Sequence, residues 1–380
     1  MEEGLREKHL KGCRRLVVKV GSGVIAHPQG GLKEEVISNL ALDLSDLRNQ
    51  GVEVILVSSG AVAAGMGVLG LSERPKSIPV KQACAAVGQA HLIWAYERHF
   101  ERWGQKVAQV LLTRDDLEHR RRYLNARNTL FSILKLGVIP IINENDTVMV
   151  EEIKFGDNDN LSALVAMMAE ADLLVILSTV EGLYTQDPTR GDASLLREVR
   201  SINGELERCD VKGLSPVGTG GMASKVEAIK KVVASGIPAV IARGDEPRVL
   251  WRILEGEEVG TFFLPREERL VVKKRWIGYT LQPLGTLTID DGAVEALVKK
   301  GKSLLPRGVL AVEGNFEMGD PVSCVDQSGR EVARGLVNYS SSEIEKIKGV
   351  HSSQIQEVLG YHHSDEVIHR DNLVVLYENL

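Results

Sequence analysis

The chain predicts a three-layer α/β domain with a mostly parallel central sheet, followed by a small β-rich barrel. Three observations predict it. Short, nearly continuous apolar runs at residues 16–20, 53–57, 107–112, 138–142, 173–177 and 239–242 suit strands covered on both faces. Stretches with helical periodicity lie between them, which gives a β-α-β rhythm. After Pro265 the rhythm changes to short strands and turns around one helical segment.

The first strand contains Lys19 and runs into Gly21-Ser22-Gly23. The segment 34–50 carries Val36, Ile37, Leu40, Leu44 and Leu47 at helical spacing, and Gly51 stops it as a C-terminal cap would. Ser58-Ser59-Gly60 follows the second strand, Asn143-Glu144-Asn145-Asp146 the fourth and Ser178-Thr179 the fifth. In such sheets ligands bind beyond the carboxyl ends of the strands. Each of these clusters could serve a turn alone, but four of them at strand carboxyl ends point to a site. Asp157-Asn158-Asp159-Asn160 follows Gly156 and precedes an apolar helix at 161–168. One of its members, Asp159 or Asn160, is expected to cap that helix.

Gly218-Thr219-Gly220-Gly221 then opens a helix whose apolar face is Met222, Val226, Ile229 and Val233. Backbone amides of such a turn crowd toward an anion at a helix N-terminus. Lys225 lies one turn inside, and helical side chains lean back toward the N-terminus. The spacing is not that of a Walker A motif, and a glycine-rich surface loop is the plain alternative. Beyond a charged connector at 266–275, strands are expected at 287–289, 309–312, 321–325 and 332–336, with a helix at 292–300. The expected division is therefore 1–265, the connector 266–275, and 276–380.

Composition narrows the classes. At 380 residues, two domains are expected. With 43% hydrophobic and 26% charged residues the chain is of ordinary globular make-up, not disordered. A net charge of −6 supplies no general attraction to nucleic acid or anionic membranes. Residues 1–11 are polar and mixed in charge, unlike a signal peptide. The most apolar stretch, 161–177, is broken by Glu170 and Asp172 and is too interrupted to span a bilayer. Cys13, Cys84, Cys209 and Cys324 are far apart with no metal-ligand spacing, which suits reduced thiols in a cytoplasmic protein. His351, His362, His363 and His369 lack such spacing too and read as a solvated surface.

Lys19 in an apolar strand is costly unless paired or functional, and the glycine turn beside it favours function. Lys19 and Lys225 together make a two-lysine clamp suited to phosphoryl transfer, where the protein positions groups and neutralises charge. No Ser-His-Asp or Cys-His arrangement favours hydrolysis. Two readings of the 157–160 carboxylates remain open here: one aspartate holds the lysines apart, or the cluster coordinates Mg²⁺.

Lys19 to Ser22, Ser58 to Val62, Asn143 to Asp146, Gly156 to Asn160, Gly182 to Thr185 and Gly218 to Lys225 together resemble the amino-acid kinase family. The tail from Trp276, with Leu304 to Gly308 and Gly314-Asn315-Phe316, resembles a PUA domain. The resemblance implies an amino-acid-kinase-like fold and a PUA-like barrel. It also implies transfer of the γ-phosphoryl group of ATP, with Mg²⁺, to the side-chain carboxylate of L-glutamate. That is the first step of proline biosynthesis, with feedback inhibition by proline. By matching position, Lys19 and Lys225 stabilise the phosphoryl group and Asp159 organises them. Lys19, Gly21, Ser22, Ser178, Thr179 and the run Thr219, Gly220, Gly221, Met222, Ala223, Ser224 and Lys225 match the nucleotide contacts. Ser59, Gly60, Asn143, Asp146 and Asn158 match the glutamate contacts, with Asp146 taking the α-ammonium. No residue is assigned to the metal. Where some members have Thr-Asp after the fifth strand this chain has Ser178-Thr179, so a carboxylate contact to the nucleotide is missing.

Other small-acid kinases of the same fold, acting on aspartate, N-acetylglutamate or carbamate, are the near alternatives. The carboxylates at 146 and 157–160 favour a free ammonium over an acetylated substrate. An RNA-binding regulator is the distant alternative. Residues 266–380 hold 14 basic against 17 acidic side chains, so RNA binding lacks its electrostatic footprint. A regulatory or assembly role for the tail, and a homo-oligomer, are expected instead.

Overall fold

A computed structural model of the chain describes residues 5–148, 158–186, 191, 193–200, 221–265, 274 and 276–376. It divides into two compact units, 1–269 and 270–380. Thr219, Gly220, Asp157, Cys209 and most of the connector lie outside the described residues.

The first unit is built on one eight-stranded sheet in the order β3-β4-β2-β1-β5-β7-β8-β6. Its strands are β1 (Arg15–Val20), β2 (Glu53–Ser58), β3 (Val107–Leu112), β4 (Ile139–Glu144), β5 (Leu173–Ser178), β6 (Glu198–Val199), β7 (Ala239–Arg243) and β8 (Thr261–Phe263). All pairings are parallel except β7 with β8. In β4 and β5 every residue is buried, which explains why their sequences show no polar alternation. The six expected strands are all present. β6 and β8 were not in that set, because two and three residues are too few to show a period.

The central strand β1 pairs with β2 on one side and β5 on the other, Val20 lying opposite Ser58 and Lys19 opposite Ile176. The chain leaves β1 toward β2 and later crosses back to β5, so the strand order reverses beside β1. A crevice at the carboxyl edge is the geometric consequence. The crossing is made by the helix Asn158–Met168, buried along its length except at Asn160. It begins at Asn158, so Asp159 and Asn160 stand in its first turn rather than at its cap. Neither performs the expected capping. Asn160 Oδ1 instead accepts from Lys231 Nζ at 2.6 Å.

The helices Ala61–Leu69 and Ile78–Glu101 cross at their glycines. A Cβ on Gly88 would sit 1.7 Å from the Ala61 carbonyl oxygen, and one on Gly65 would sit 1.8 Å from that of Cys84. Only hydrogen fits at either position. Cys84 is buried, and burial pushes the half-buried Cys13 thiol up to about 12.

The second unit holds a five-stranded sheet in the order β10-β9-β11-β12-β13. Its strands are β9 (Gly285–Ile289), β10 (Val309–Gly314), β11 (Pro321–Val325), β12 (Glu331–Leu336) and β13 (Leu373–Val375). Leu287, Ile289, Val322, Cys324 and Val332 form its core with Tyr339, Ile344 and Ile368 from outside the sheet. The helix Asp291–Val298 is capped by Asp290, which accepts from the Ala293 amide at 2.6 Å. His351 and His369 each cap a short helical turn through a ring nitrogen.

Candidate active site

The site begins with glycine at three helix starts. Gly21, Gly60 and Gly221 are the N-cap residues of Ser22–Ile25, Ala61–Leu69 and Met222–Ala234, and none supplies a side-chain cap. A serine or aspartate there would occupy the first amides itself, whereas glycine leaves them open to an outside anion. Gly60 also requires its lack of a side chain because its φ is 110°. Gly21 lies against Lys19, since a Cβ there would be 3.6 Å from Nζ.

Between these turns three ionised side chains meet. Lys19 Nζ lies 2.6 Å from Asp159 Oδ1, and Lys225 Nζ lies 3.3 Å from Oδ2. Lys19, Asp159 and Lys225 expose only 4, 2 and 7% of their surface. Ser224 Oγ donates to Asp159 Oδ2 at 2.6 Å. Burial pushes the Asp159 carboxyl upward, but the charges of Lys19 and Lys225 and the bond from Ser224 overcome it and hold Asp159 below its usual range. For Lys225, burial is the larger influence and Lys19 adds to it, so its ammonium is held below the usual lysine range despite Asp159. Burying ions in this way rarely adds stability over apolar packing. The cluster is better explained by chemistry that needs fixed positive charge in a dry place.

Asp159 thus meets both lysines, as the first of the two readings expects, while Asp157 lies outside the described residues. The described residues contain no group of three or more His, Cys, Asp or Glu side chains able to cage a metal. With its oxygens taken by two ammonium groups and a hydroxyl, Asp159 does not fit a magnesium ligand.

A second set of groups gathers at the ends of β2 and β4. Asn158 Nδ2 donates to Ser59 Oγ and to Asn143 Oδ1, both at 3.1 Å. Asn143 Oδ1 also accepts from the Glu144 amide at 2.8 Å. Among the described residues, Asn143 Nδ2 and Asn158 Oδ1 are buried without a hydrogen-bond partner. An unpaired donor and acceptor side by side, each costly when buried alone, fit a polar ligand that completes them. Asp146 is buried nearby in sequence, and burial pushes its carboxyl up to about 6, with Arg74 opposing in part. Asn143 and Glu144 are the last residues of β4 itself, where the sequence suggested a turn after it.

Ser178 ends β5 and accepts the Gly244 amide on its carbonyl at 2.9 Å, while the exposed Thr179 lies against Gly23. Met222 is buried at the start of its helix, with Ala223 exposed beside it. Two supports escaped sequence reasoning. Tyr96 Oη lies 2.8 Å from Ser58 Oγ and braces the turn that presents Ser59 and Gly60. Gln89 Nε2 donates to the Glu144 carbonyl at 3.3 Å and braces β4. A tyrosine and a glutamine on the apolar face of the helix Ile78–Glu101 were the available signal.

The fold and the lysine–aspartate–lysine cluster define a phosphotransferase of the amino acid kinase type. The model of the amino acid kinase family matches residues 14–243, and that of the PUA domain matches 285–359; the chain belongs to the amino acid kinase family. It is 54% identical over 373 residues to the glutamate 5-kinase of Geobacter metallireducens, covering 98% of this chain and 100% of that one. The glutamate 5-kinase of Citrifermentans bemidjiense is 52% identical over the same shares. That of Caldanaerobacter subterraneus is 51% identical over 363 residues, 95% of this chain and 98% of that one. Among the described residues no helix is long and apolar enough to cross a membrane.

Proposed function

We propose that this chain is an ATP-dependent glutamate 5-kinase that forms L-glutamyl 5-phosphate, the first step of proline biosynthesis. The observation that carries the chemistry is the buried carboxylate shared by two ammonium groups beside glycine-capped helix starts. The name shared by relatives that match nearly the whole chain supports the substrate.

In this reading a side-chain carboxylate oxygen of glutamate attacks the γ-phosphorus. The bond to the bridging oxygen breaks, and ADP leaves with its electron pair. No proton has to move, so no general base is required, and the protein's task is alignment and charge. Lys19 and Lys225 face the transferring oxygens from two elements, held apart by Asp159. The first helical amides after Gly21 and Gly221 receive the nucleotide phosphates, with Ser178 and Thr179 along the nucleotide. Ser59, Gly60 and Asn143 Nδ2 take the carboxylates of glutamate, and Asp146, with the carbonyl oxygen of the Asn158 side chain, takes its ammonium. Feedback inhibition by proline, at a site overlapping that for glutamate, belongs to the same proposal.

ADP release with ATP, Mg²⁺ and a panel of acidic amino acids tests the proposal. L-Glutamate should support turnover, and L-aspartate and N-acetylglutamate should not. Turnover with either of those and none with L-glutamate would overturn it.

A further inference from the structure

The three contacts to Asp159 are unequal. Lys19 holds Oδ1 at 2.6 Å, whereas Lys225 shares Oδ2 with Ser224 and is the more distant of the two, at 3.3 Å against 2.6 Å. A hydroxyl-to-carboxylate bond of that length is among the stronger hydrogen bonds in proteins, and burial strengthens it further. Ser224 and Lys225 are neighbours in the first turn of the helix Met222–Ala234, while Asp159 belongs to the helix Asn158–Met168. The hydroxyl therefore ties the two helices together at the point where the lysine must work.

We propose that Ser224 is a positioning residue for phosphoryl transfer: its hydroxyl holds Asp159 Oδ2 in place while Lys225 leans from the carboxylate onto the transferring phosphoryl group. The inference rests on the phosphoryl-transfer reading above. With Lys19 on one oxygen and Ser224 on the other, the orientation of the carboxylate is fixed at two points without Lys225. Ser224 carries one hydroxyl hydrogen, and its alternative acceptor is the Gly221 carbonyl at 2.8 Å. The charged oxygen is the stronger acceptor. Remove the hydroxyl and Oδ2 must be satisfied by Lys225, which draws the ammonium onto the carboxylate and away from the phosphate. The loss then falls on the transition state, where the charge of Lys225 matters most, and spares the binding of either substrate.

The test is steady-state ADP release by the full-length protein with ATP and L-glutamate, comparing wild type, Ser224→Ala and Ser224→Thr. Alanine should lower kcat by roughly 10- to 100-fold, the loss expected for a hydrogen bond to a charged group. Both KM values should stay within about threefold, and threonine, which keeps the hydroxyl, should restore kcat to within about threefold of wild type. Should the alanine variant not fold, Ser224→Cys, of similar shape with a weaker donor, carries the same comparison. An alanine variant with unchanged kcat overturns the proposal, as does a loss that threonine fails to restore. A rise confined to the KM for ATP also overturns it, since Ser224 would then be a nucleotide contact. A wild-type protein with no glutamate-dependent turnover overturns the underlying reading instead.

Discussion

Asp146 offers a prediction in which stability and function move in opposite directions. Its carboxyl ordinarily titrates near 3.8 and is pushed up to about 6 by burial, with Arg74 only partly opposing. Ionisation is therefore harder in the folded chain than in the unfolded one. The stability this group contributes is fully present below about 3.8 and is lost as pH rises through about 6. A shift of about two units corresponds to roughly 3 kcal/mol at neutral pH, at about 1.4 kcal/mol per unit. Asparagine keeps the shape without the charge. Asp146→Asn should be more stable than wild type by roughly 2–3 kcal/mol above pH 7, with the gap closing near pH 4. Urea unfolding across that pH range reads it directly. The same variant should raise the KM for L-glutamate by roughly 30- to 300-fold, the cost of stripping one partner from a buried charge pair, with kcat little changed. In wild type the KM for glutamate should rise as pH falls below about 6, where Asp146 takes up a proton. An asparagine variant less stable than wild type at pH 8, or one with an unaltered KM, would refute the assignment of Asp146 as an unneutralised buried receptor for the ammonium.

Other expectations concern the scaffold and the second substrate group. Gly88→Ala should lower stability by roughly 3 kcal/mol, seen as a drop in Tm, because its Cβ would run into the Ala61 carbonyl. It should raise the KM for glutamate as well, since it displaces the helix that starts at Gly60; an unchanged Tm would show that the two helices separate without cost. Asn158→Ala removes the amide that joins Ser59 to Asn143 and should raise the KM for glutamate by roughly 10- to 100-fold. Isothermal titration with L-glutamate would show the same loss, and undiminished binding would place the amino acid elsewhere.

Much of the sheet was legible because its strands are buried on both faces, which writes β1, β2, β4, β5 and β7 as plain apolar runs. Lys19 stood out for the same reason, as a cation in a strand that otherwise excludes water. Asp159 was a candidate both for holding the lysines and, with Asn160, for capping the helix, since Asp and Asn favour both roles. Only the packing of the helix Asn158–Met168 between the sheet and the helix Met222–Ala234 brings Asp159 to both lysines. The bond from Ser224 to Asp159 was not legible, because it joins residues 65 positions apart and a serine in a first helical turn has an ordinary local explanation. Tyr96 bracing Ser58 is hidden likewise: periodicity reports that a side chain faces inward, not which hydroxyl it meets. The short strands β6 and β8 escaped notice because their pairing with each other and with β7 is tertiary rather than local.

On the proposed mechanism two lysines, held by Asp159, stabilise a phosphoryl group in flight. Single-turnover transfer from labelled ATP to L-glutamate by Lys225→Ala tests it most directly, with glutamate affinity measured in parallel. The transfer rate should fall about a thousandfold, in line with losing a cation from a phosphoryl-transfer site, with little change in glutamate binding. Transfer at the wild-type rate would contradict it.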